Sequence, residues 1–186
     1  MGRKYELTAE TKIWLGLTMF RIRALIAFGD VAEGDLGGWI EKEENLNQDG
    51  NAWVYGNAQV SGNARVCGDA QVCGDAQVCG DARVSGDARV SGNARVCGDA
   101  RVSGNAHWLL VGRIGSRGGF TTFFRTKTKN IKVACGCFEG TIKQFADRVE
   151  KVHGDSKYGV EYRLAIELAK AHIDLTGDDP EGDGRG

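Results

Sequence analysis

The residues best suited to chemistry form a basic stretch late in the chain, at residues 107–138. This stretch contains six Lys and Arg side chains and no Asp or Glu. The basic residues surround a glycine-rich turn segment, residues 112–119, whose backbone amides could form a concave anion site, and arginine forks match phosphate oxygens. The sequence therefore predicts an anion- or nucleotide-binding site, with these candidate residues: Arg113, Ser116, Arg117, Arg125 and Lys127.

Two interpretations of this basic stretch remain open. In the first, a β-hairpin brings Arg125 beside the turn segment, and Phe123 or Phe124 stacks on a nucleotide base. The spacing differs from that of a phosphate loop joining a strand to a helix, so the motif alone is not specific. In the second, the cations balance acidic residues on the following helices, namely Asp147, Glu150, Glu161 and Glu167.

Histidine is the usual general base at neutral pH, and the chain has three: His107, His153 and His172. A zinc enzyme of the carbonic-anhydrase type needs three imidazoles around its metal, and only His107 lies beside the repeats described below. His107 alone could act as a base, but a single histidine where two modules meet favours a structural role. We therefore expect no catalytic residue and no cofactor.

The six cysteines offer a second possible chemistry. Cys135 and Cys137 resemble half of a zinc site, but no second cysteine pair supplies the remaining ligands. Both cysteines lie on the apolar face of a predicted strand, so we expect them to pack in the core and to bind no metal. Cys79 and Cys97 lie eighteen residues apart, a spacing that permits a disulfide between stacked coils, although a reducing compartment favours free thiols.

The element that positions all these residues is a repeat of six. Glycine recurs every six residues from Gly50 to Gly104, within units of the form Gly-[Asn/Asp]-Ala-x-Val. Ala64 and Val66 share one face of an extended segment, whereas Arg65 between them faces the other way. Glycine with Asn or Asp provides the corners. Three units then close a coil of eighteen residues, and the period predicts a left-handed parallel β-helix.

The outward positions of this coil form charged and polar ladders. Arginines stack at spacings of eighteen at Arg65, Arg83 and Arg101, while the repeats also carry the aspartates Asp69, Asp75, Asp81, Asp87 and Asp99. This balance of charge favours an ordinary solvated surface. The face with Gln59 and Gln77 carries the least charge, and we expect a homo-oligomer, with a trimer favoured, to form through it.

The flanking regions do not repeat. We predict the following organisation: an N-terminal block at 1–49, the β-helix at 50–106, a C-terminal module at 107–175 and a disordered tail at 176–186. The C-terminal module is expected to be a small α+β unit of three strands and two helices. Thr141 and Gln144 form a capping box for the first helix. The second helix, at 157–175, carries an apolar stripe at Val160, Leu164, Leu168 and Ala171.

Two stretches carry a family resemblance. The stretch FRIRALIAFGDVAEGDLGGWIEKEENLNQDGNAWV, followed by the repeats, resembles a family of bacterial and prophage hexapeptide-repeat proteins. The stretch IGSRGGFTTFFRTKTKNIKVACGCFEG and the helices after it are similar to a domain common in phage-encoded proteins. Together the resemblances cover nearly the whole chain. They imply a phage or prophage origin and transfer no catalytic residues.

Composition and charge exclude further classes of function. The 186 residues have a net charge of −1, which predicts no general affinity for polyanions. The sequence shows no apolar run of membrane-spanning length and no signal peptide at its start, so we expect a cytoplasmic protein with no membrane partner. We predict a non-enzymatic phage accessory protein that binds a host protein, a nucleotide or a nucleic acid. Counter-defence is one role that such binding would serve. The alternative is a hexapeptide-repeat acyltransferase with a degenerate site.

Overall fold

The computed structural model describes residues 2–177, so most of the predicted tail lies outside the described residues. The chain begins with three antiparallel strands: β1 (Tyr5–Trp14), β2 (Leu17–Ala24) and β3 (Leu36–Ile40). A short 3₁₀ helix, Glu43–Asn45, follows. Strand β3 pairs in parallel with the repeat strands, so the coils already begin within the block that precedes the regular repeat.

Nine two-residue strands then follow at intervals of six residues: β4 (Trp53–Val54), β5 (Gln59–Val60), β6 (Arg65–Val66), β7 (Gln71–Val72), β8 (Gln77–Val78), β9 (Arg83–Val84), β10 (Arg89–Val90), β11 (Arg95–Val96) and β12 (Arg101–Val102). They stack into three parallel sheets, in the orders β3-β5-β8-β11, β4-β7-β10 and β6-β9-β12. Together they build a β-solenoid of about four coils.

The register confirms the coil of eighteen residues. Gln59 lies opposite Gln77, and Val60 lies opposite Val78. From Ala52 to Val102 the alanine and valine side chains of the repeats point inward, and none of them is more than 1% exposed. The corners need glycine. At Gly74, with φ +70°, an added Cβ would lie 3.0 Å from the backbone nitrogen of Gly92 on the next coil.

The N-terminal block covers the first coil. Its β1–β2 hairpin extends the sheet of β3 and β5 outward. Trp53 points away from the coil axis, yet it is only 1% exposed because the rings of Tyr5 and Phe28 pack edge-on against it. A side chain at Gly37 would collide with the Trp53 ring at 2.6 Å, so this position must be glycine.

The stacked cysteines are joined by a disulfide. Cys79 and Cys97 have Cα atoms 4.6 Å apart, which is the spacing of neighbouring coils. The expectation of free thiols at these two positions is therefore wrong. The Cα–Cα distance between corresponding residues on neighbouring coils already suits a disulfide, so the bond forms without any movement of the backbone.

The C-terminal module follows a second 3₁₀ helix, Asn105–His107. It contains the antiparallel strands β13 (Trp108–Ile114), β14 (Gly119–Arg125), β15 (Ile131–Cys135) and β16 (Phe138–Thr141), then α1 (Ile142–His153) and α2 (Lys157–His172). Strand β16 was not predicted. Helix α1 begins with the predicted capping box, in which the Thr141 hydroxyl accepts from the Gln144 amide and the Gln144 side chain accepts from the Thr141 amide.

The four-stranded sheet lies between the solenoid and the helices. Phe124 and Ala134 belong to the apolar core of the coils, whereas Phe123 and Val133 belong to a second core beneath α1 and α2. The module therefore closes the last coil with one face of its sheet and carries its helices on the other. The fold class predicted from the sequence, a parallel β-helix with a small α+β module, is confirmed.

Helix α2 packs through a different face from the predicted one. The predicted stripe is exposed, with 66% of Leu164 and 52% of Leu168 accessible to solvent. The buried face instead contains Ala165, Ile166 and Ala169. Small alanine side chains allow the helix to approach the sheet and α1 closely. The free energy gained from this close packing exceeds what burial of the larger apolar side chains of the stripe would contribute. None of the helices within residues 2–177 has the length and apolarity needed to cross a membrane.

The buried Lys4 should make stability depend on pH. Lys4 is 2% exposed, and its Nζ donates to the carbonyls of Gly50 and Ala52. Burial lowers the Lys4 pKa from its ordinary 10.5 to about 8, against the opposing effect of Asp49 and Asp69. The folded state then binds fewer protons than the unfolded chain between pH 8 and 10.5. Stability should therefore rise with pH across this window, by at most about 3 kcal/mol.

The measurement is the free energy of unfolding at several pH values for the natural protein and for Lys4→Met. The variant loses two hydrogen bonds at every pH, which shifts its whole curve, while tyrosine titration is common to both proteins. Because only the natural protein has Lys4, the slopes of the two plots of unfolding free energy against pH should differ between pH 8 and 10.5. Parallel curves across that window would contradict the assignment.

Candidate anion-binding site

The predicted turn segment closes the β13–β14 hairpin. Ile114 pairs with Gly119, and the amide of Gly118 donates to the carbonyl of Gly115 across the turn. Arg113, Ser116 and Arg117 are exposed around this turn. Three of the five predicted site residues are therefore displayed together at one end of the hairpin.

Two residues of helix α2 contact this turn and hold it in place. The Gly115 amide donates to Oε2 of Glu161 at 2.8 Å. The Tyr162 hydroxyl lies against the Gly115 Cα, so closely that a Cβ there would be 1.9 Å from it. One amide of the predicted anion site thus already binds an internal carboxylate. An amide carries no net charge, and the ion pair of Glu161 is formed with Lys157 on its own helix, so this contact does not show that the helices balance the basic stretch.

Arg125 does not lie beside the turn. The hairpin forms as expected, but its register places Phe124 opposite Trp108, and Arg125 follows at the open end. Six residues of extended strand separate Arg125 from Gly119, a distance of about 20 Å. The expectation that the hairpin brings Arg125 to the turn segment is therefore wrong, because strand pairing alone does not place a residue near the turn.

Arg125 instead anchors the module to the last coil. It is 1% exposed and donates to the carbonyl of Arg101, the hydroxyl of Ser103 and the carbonyl of Thr176. Lys127 is exposed just beyond β14, where its backbone amide donates to the carbonyl of Asp99. Both residues belong to the junction between the coil and the module.

The aromatic residues do not provide a stacking surface. Phe123 and Phe124 are both fully buried, one beneath the helices and the other against the solenoid. The prediction that one of these rings could stack on a base is therefore wrong. A ligand at this turn would be held by charge and hydrogen bonds.

His107 lies at the junction and is engaged there. Its Nδ1 accepts from the Ser103 amide at 3.0 Å and lies 3.1 Å from the Ser103 hydroxyl oxygen. Nearby, hydrogen bonds from the hydroxyl and amide of Thr176 lower the pKa of Asp174, and the charge of Arg125 adds to this effect. Because the Nδ1 lone pair points at a backbone amide, this arrangement supports docking of the module more than proton abstraction.

Core packing was predicted for Cys135 and Cys137, and only Cys135 packs against the second core. Cys135 ends β15 and is partly exposed, whereas Cys137 lies exposed in the turn before β16. Cys137 is thus not a core residue. Within residues 2–177, no three His, Cys, Asp or Glu side chains are grouped so that they could share a metal ion.

Glu161 and Tyr162 were missed by the sequence reasoning as site residues. They lie 46 and 47 positions after Gly115, and no local motif links a glycine turn to a helix so far along the chain. The sequence offers one indication of this contact, and it is electrostatic: a basic stretch without acidic residues is followed by helices that carry acidic residues.

Comparison with known proteins concerns the repeats. A family described as the YdcK β-solenoid repeat matches residues 58–74, 76–92, 88–104 and 94–107. The Escherichia coli (strain K12) protein named uncharacterized acetyltransferase YdcK is 36% identical over 61 residues, which is 28% of this chain and 19% of that protein. The chain thus matches about a fifth of the length of that curated relative.

These matches agree with the register of the coils and define the chain as a β-solenoid repeat protein. More particularly, its repeats are similar to the YdcK repeat. The matched segments end at residue 107, so the C-terminal module that carries the turn segment lies outside them.

Removal of the Arg125 anchor should weaken the junction. Arg125→Met removes a buried guanidinium and leaves its three acceptors without their donor, and the expected loss is about 2–4 kcal/mol of unfolding free energy. Lys127→Met, two residues further on at an exposed position, should change stability by less than about 0.5 kcal/mol. Urea denaturation of both variants measures the difference, and equal midpoints would show that Arg125 has no anchoring role.

Proposed function

We propose that the chain is a non-enzymatic phage or prophage accessory protein that binds an anionic ligand through the turn segment. The ligand would be a nucleotide, a nucleic acid or an anionic surface of a host protein. The protein would act in the cytoplasm of the host cell, where such binding could counter a defence pathway. The solenoid would serve as its scaffold.

One observation carries this proposal: Arg113, Ser116 and Arg117 are exposed together on a turn whose backbone is already fixed. Glu161 and Tyr162 hold Gly115 in place before any ligand arrives. A preorganised turn loses little conformational entropy on binding, so two arginines and a hydroxyl can act on an anion without ordering a loop. Arginine forks suit phosphate and carboxylate oxygens alike.

Assembly would proceed through the glutamine face. Its outward row contains Trp39, Gln59, Gln77 and Arg95. Lys12 lies over the Trp39 ring, and Arg95 donates to the Gly136 carbonyl, so both ends of the row are occupied. The two partly exposed glutamines between them form a flat, uncharged centre that favours a homo-oligomer, preferably a trimer. Light scattering that returns 20.0 kDa at micromolar concentration would exclude this assembly.

The alternative is an acyltransferase with a degenerate site. The similarity to a protein named an acetyltransferase favours it. The regular coils argue against it, because strands follow one another every six residues from Trp53 to Val102 without an inserted loop that could cover an acyl donor. Release of free thiol from an acetyl thioester, catalysed by the natural protein, would establish this alternative.

Calorimetric titration tests the binding proposal. The probes are nucleoside mono-, di- and triphosphates, cyclic dinucleotides, and short DNA and RNA strands, each at low salt. Binding should weaken by about tenfold or more in Arg113→Gln with Arg117→Gln, since each charged contact contributes about 1.5–3 kcal/mol. Affinity for a nucleic acid should fall as salt rises.

Lys127→Gln is the matched control. It removes one exposed cation from the same module at the opposite end of the hairpin, so binding should be unchanged. If the natural protein binds none of these probes at low salt, the turn segment is not an anion site. Equal losses in Lys127→Gln and in the single variant Arg117→Gln would instead indicate attraction by net charge alone.

A further inference from the structure

Strand β13 is an edge of the C-terminal sheet, with a neighbouring strand on one side only. Its residues 108–111 are all partly exposed, whereas residues 121–124 opposite them on β14 are at most 2% exposed. Both faces of β13 are covered, because Leu110 packs against the coils and Leu109 against the core beneath the helices. Apart from the pairing with β14, no hydrogen bond within residues 2–177 reaches the main chain of this segment. The exposure of β13 therefore comes from an open edge.

The pairing of β14 shows which main-chain groups of β13 point out of this edge. The Thr126 amide donates to the carbonyl of Asn130, so this residue of β14 bonds toward β15. Because the hydrogen-bonding direction alternates along a strand, Phe123, three residues earlier, bonds toward β13. Its opposite residue, Leu109, is thus bonded to β14, and the N–H and C=O groups of Leu110 point outward.

This edge lacks the protection that other edge strands of the protein have. Strand β1, at the edge of the N-terminal sheet, carries Glu6, Glu10 and Lys12 and is interrupted by a bulge. Strand β16, at the opposite edge of the C-terminal sheet, has four residues, one of which is Glu139. Strand β13 has seven residues, and residues 108–112 include no charge and no proline. An exposed apolar edge of this kind is a place where another strand pairs.

Helix α2 adds an apolar surface on the same side of the module. Arg163 forms an ion pair with Glu150 of α1, so that side of α2 faces α1. Glu161 contacts the β13–β14 turn, on the opposite side. Leu164 and Leu168 follow Glu161 at intervals of three and four residues and therefore share its side of the helix. Because α2 packs over β13, these exposed leucines lie beside the open edge.

We propose that a second copy of the chain covers this edge, with the two β13 strands antiparallel about a twofold axis. The outward N–H and C=O groups recur at every second residue, so two identical strands supply partners to each other and join the two sheets into one. The same axis brings the two α2 helices side by side, where Leu164 and Leu168 are buried against the other copy. An extended peptide from another protein would pair with β13 but would leave the leucines exposed.

This contact is separate from the turn segment and from the glutamine face. A twofold contact requires an even number of subunits, whereas a trimer through the glutamine face alone contains three. If both contacts form, six subunits assemble. The number of subunits therefore distinguishes the two proposals.

Sedimentation equilibrium measures the assembly in units of the 20.0 kDa chain, and an even number is expected for the natural protein. Leu164→Asp with Leu168→Asp should weaken the twofold contact about tenfold or more, because two charges enter an apolar contact. Val152→Asp is the matched control, since Val152 is equally exposed but lies on α1, and it should leave the assembly unchanged. All three positions are exposed, so the fold should persist, and circular dichroism checks it.

Hydrogen exchange resolved to single amides, read by mass spectrometry, tests the strand itself. The Leu110 amide should exchange slowly in the associated natural protein and fast in the Leu164/Leu168 variant. The Leu109 amide, bonded to β14, should exchange slowly in both and serves as the internal control.

Two results would overturn the inference. The first is a natural protein with one or three subunits at every concentration measured. The second is fast exchange of the Leu110 amide in an assembly of any size, because association would then use another surface. Nucleotide titrations of the turn segment bear on neither result.

Discussion

The structure depends on main-chain hydrogen bonds between residues seventeen positions apart, which a parallel register of eighteen residues per coil produces. In each coil an amide donates to a carbonyl of the next, as from Tyr55 to Val72 at 2.8 Å and from Cys73 to Val90 at 2.9 Å. This spacing holds only if every corner has the same length, which glycine at positive φ makes possible. It also leaves an interior so narrow that alanine and valine fill it. The arginine ladders, the disulfide and the faces of the solenoid all follow from this register.

The last coil of a stack has backbone groups without hydrogen-bond partners in the coils. The C-terminal module supplies partners to them. Strand β14 and the residues just after it supply partners to the last coil: the Thr122 hydroxyl accepts from the Arg95 amide, and the Lys127 amide donates to the Asp99 carbonyl. The Asp99 carboxylate binds Lys132 at 2.7 Å and has a lowered pKa, because this hydrogen bond and the charge of Lys132 outweigh partial burial. The strand that closes the solenoid also forms one side of the hairpin that carries the turn segment. The candidate site is therefore built on a structural cap, where its geometry is rigid.

Much of the fold could be predicted because its determinants are local. A period of six predicts the coil, and a capping box at Thr141 predicts the start of α1. The site was harder because its determinants are not local. Sequence indicated the β13–β14 hairpin but not which end of it Arg125 occupies. Helix α2 is apolar on two sides, so the pattern favoured the larger Leu164 stripe, whereas close packing selected Ala165 and its neighbours. The Glu161 contact to the turn depends on tertiary packing alone.

The closed triangular coil also limits how this chain can change in length. A repeat array can in general gain or lose units, because each repeat contacts only its neighbours. Addition of one six-residue unit would turn the C-terminal module by a third of a revolution relative to the β1–β2 hairpin, and Cys97 would no longer stack on Cys79. Only changes of whole coils, eighteen residues at a time, would keep the two ends of the molecule facing the same way. Relatives that retain both ends should therefore differ in length by multiples of one coil.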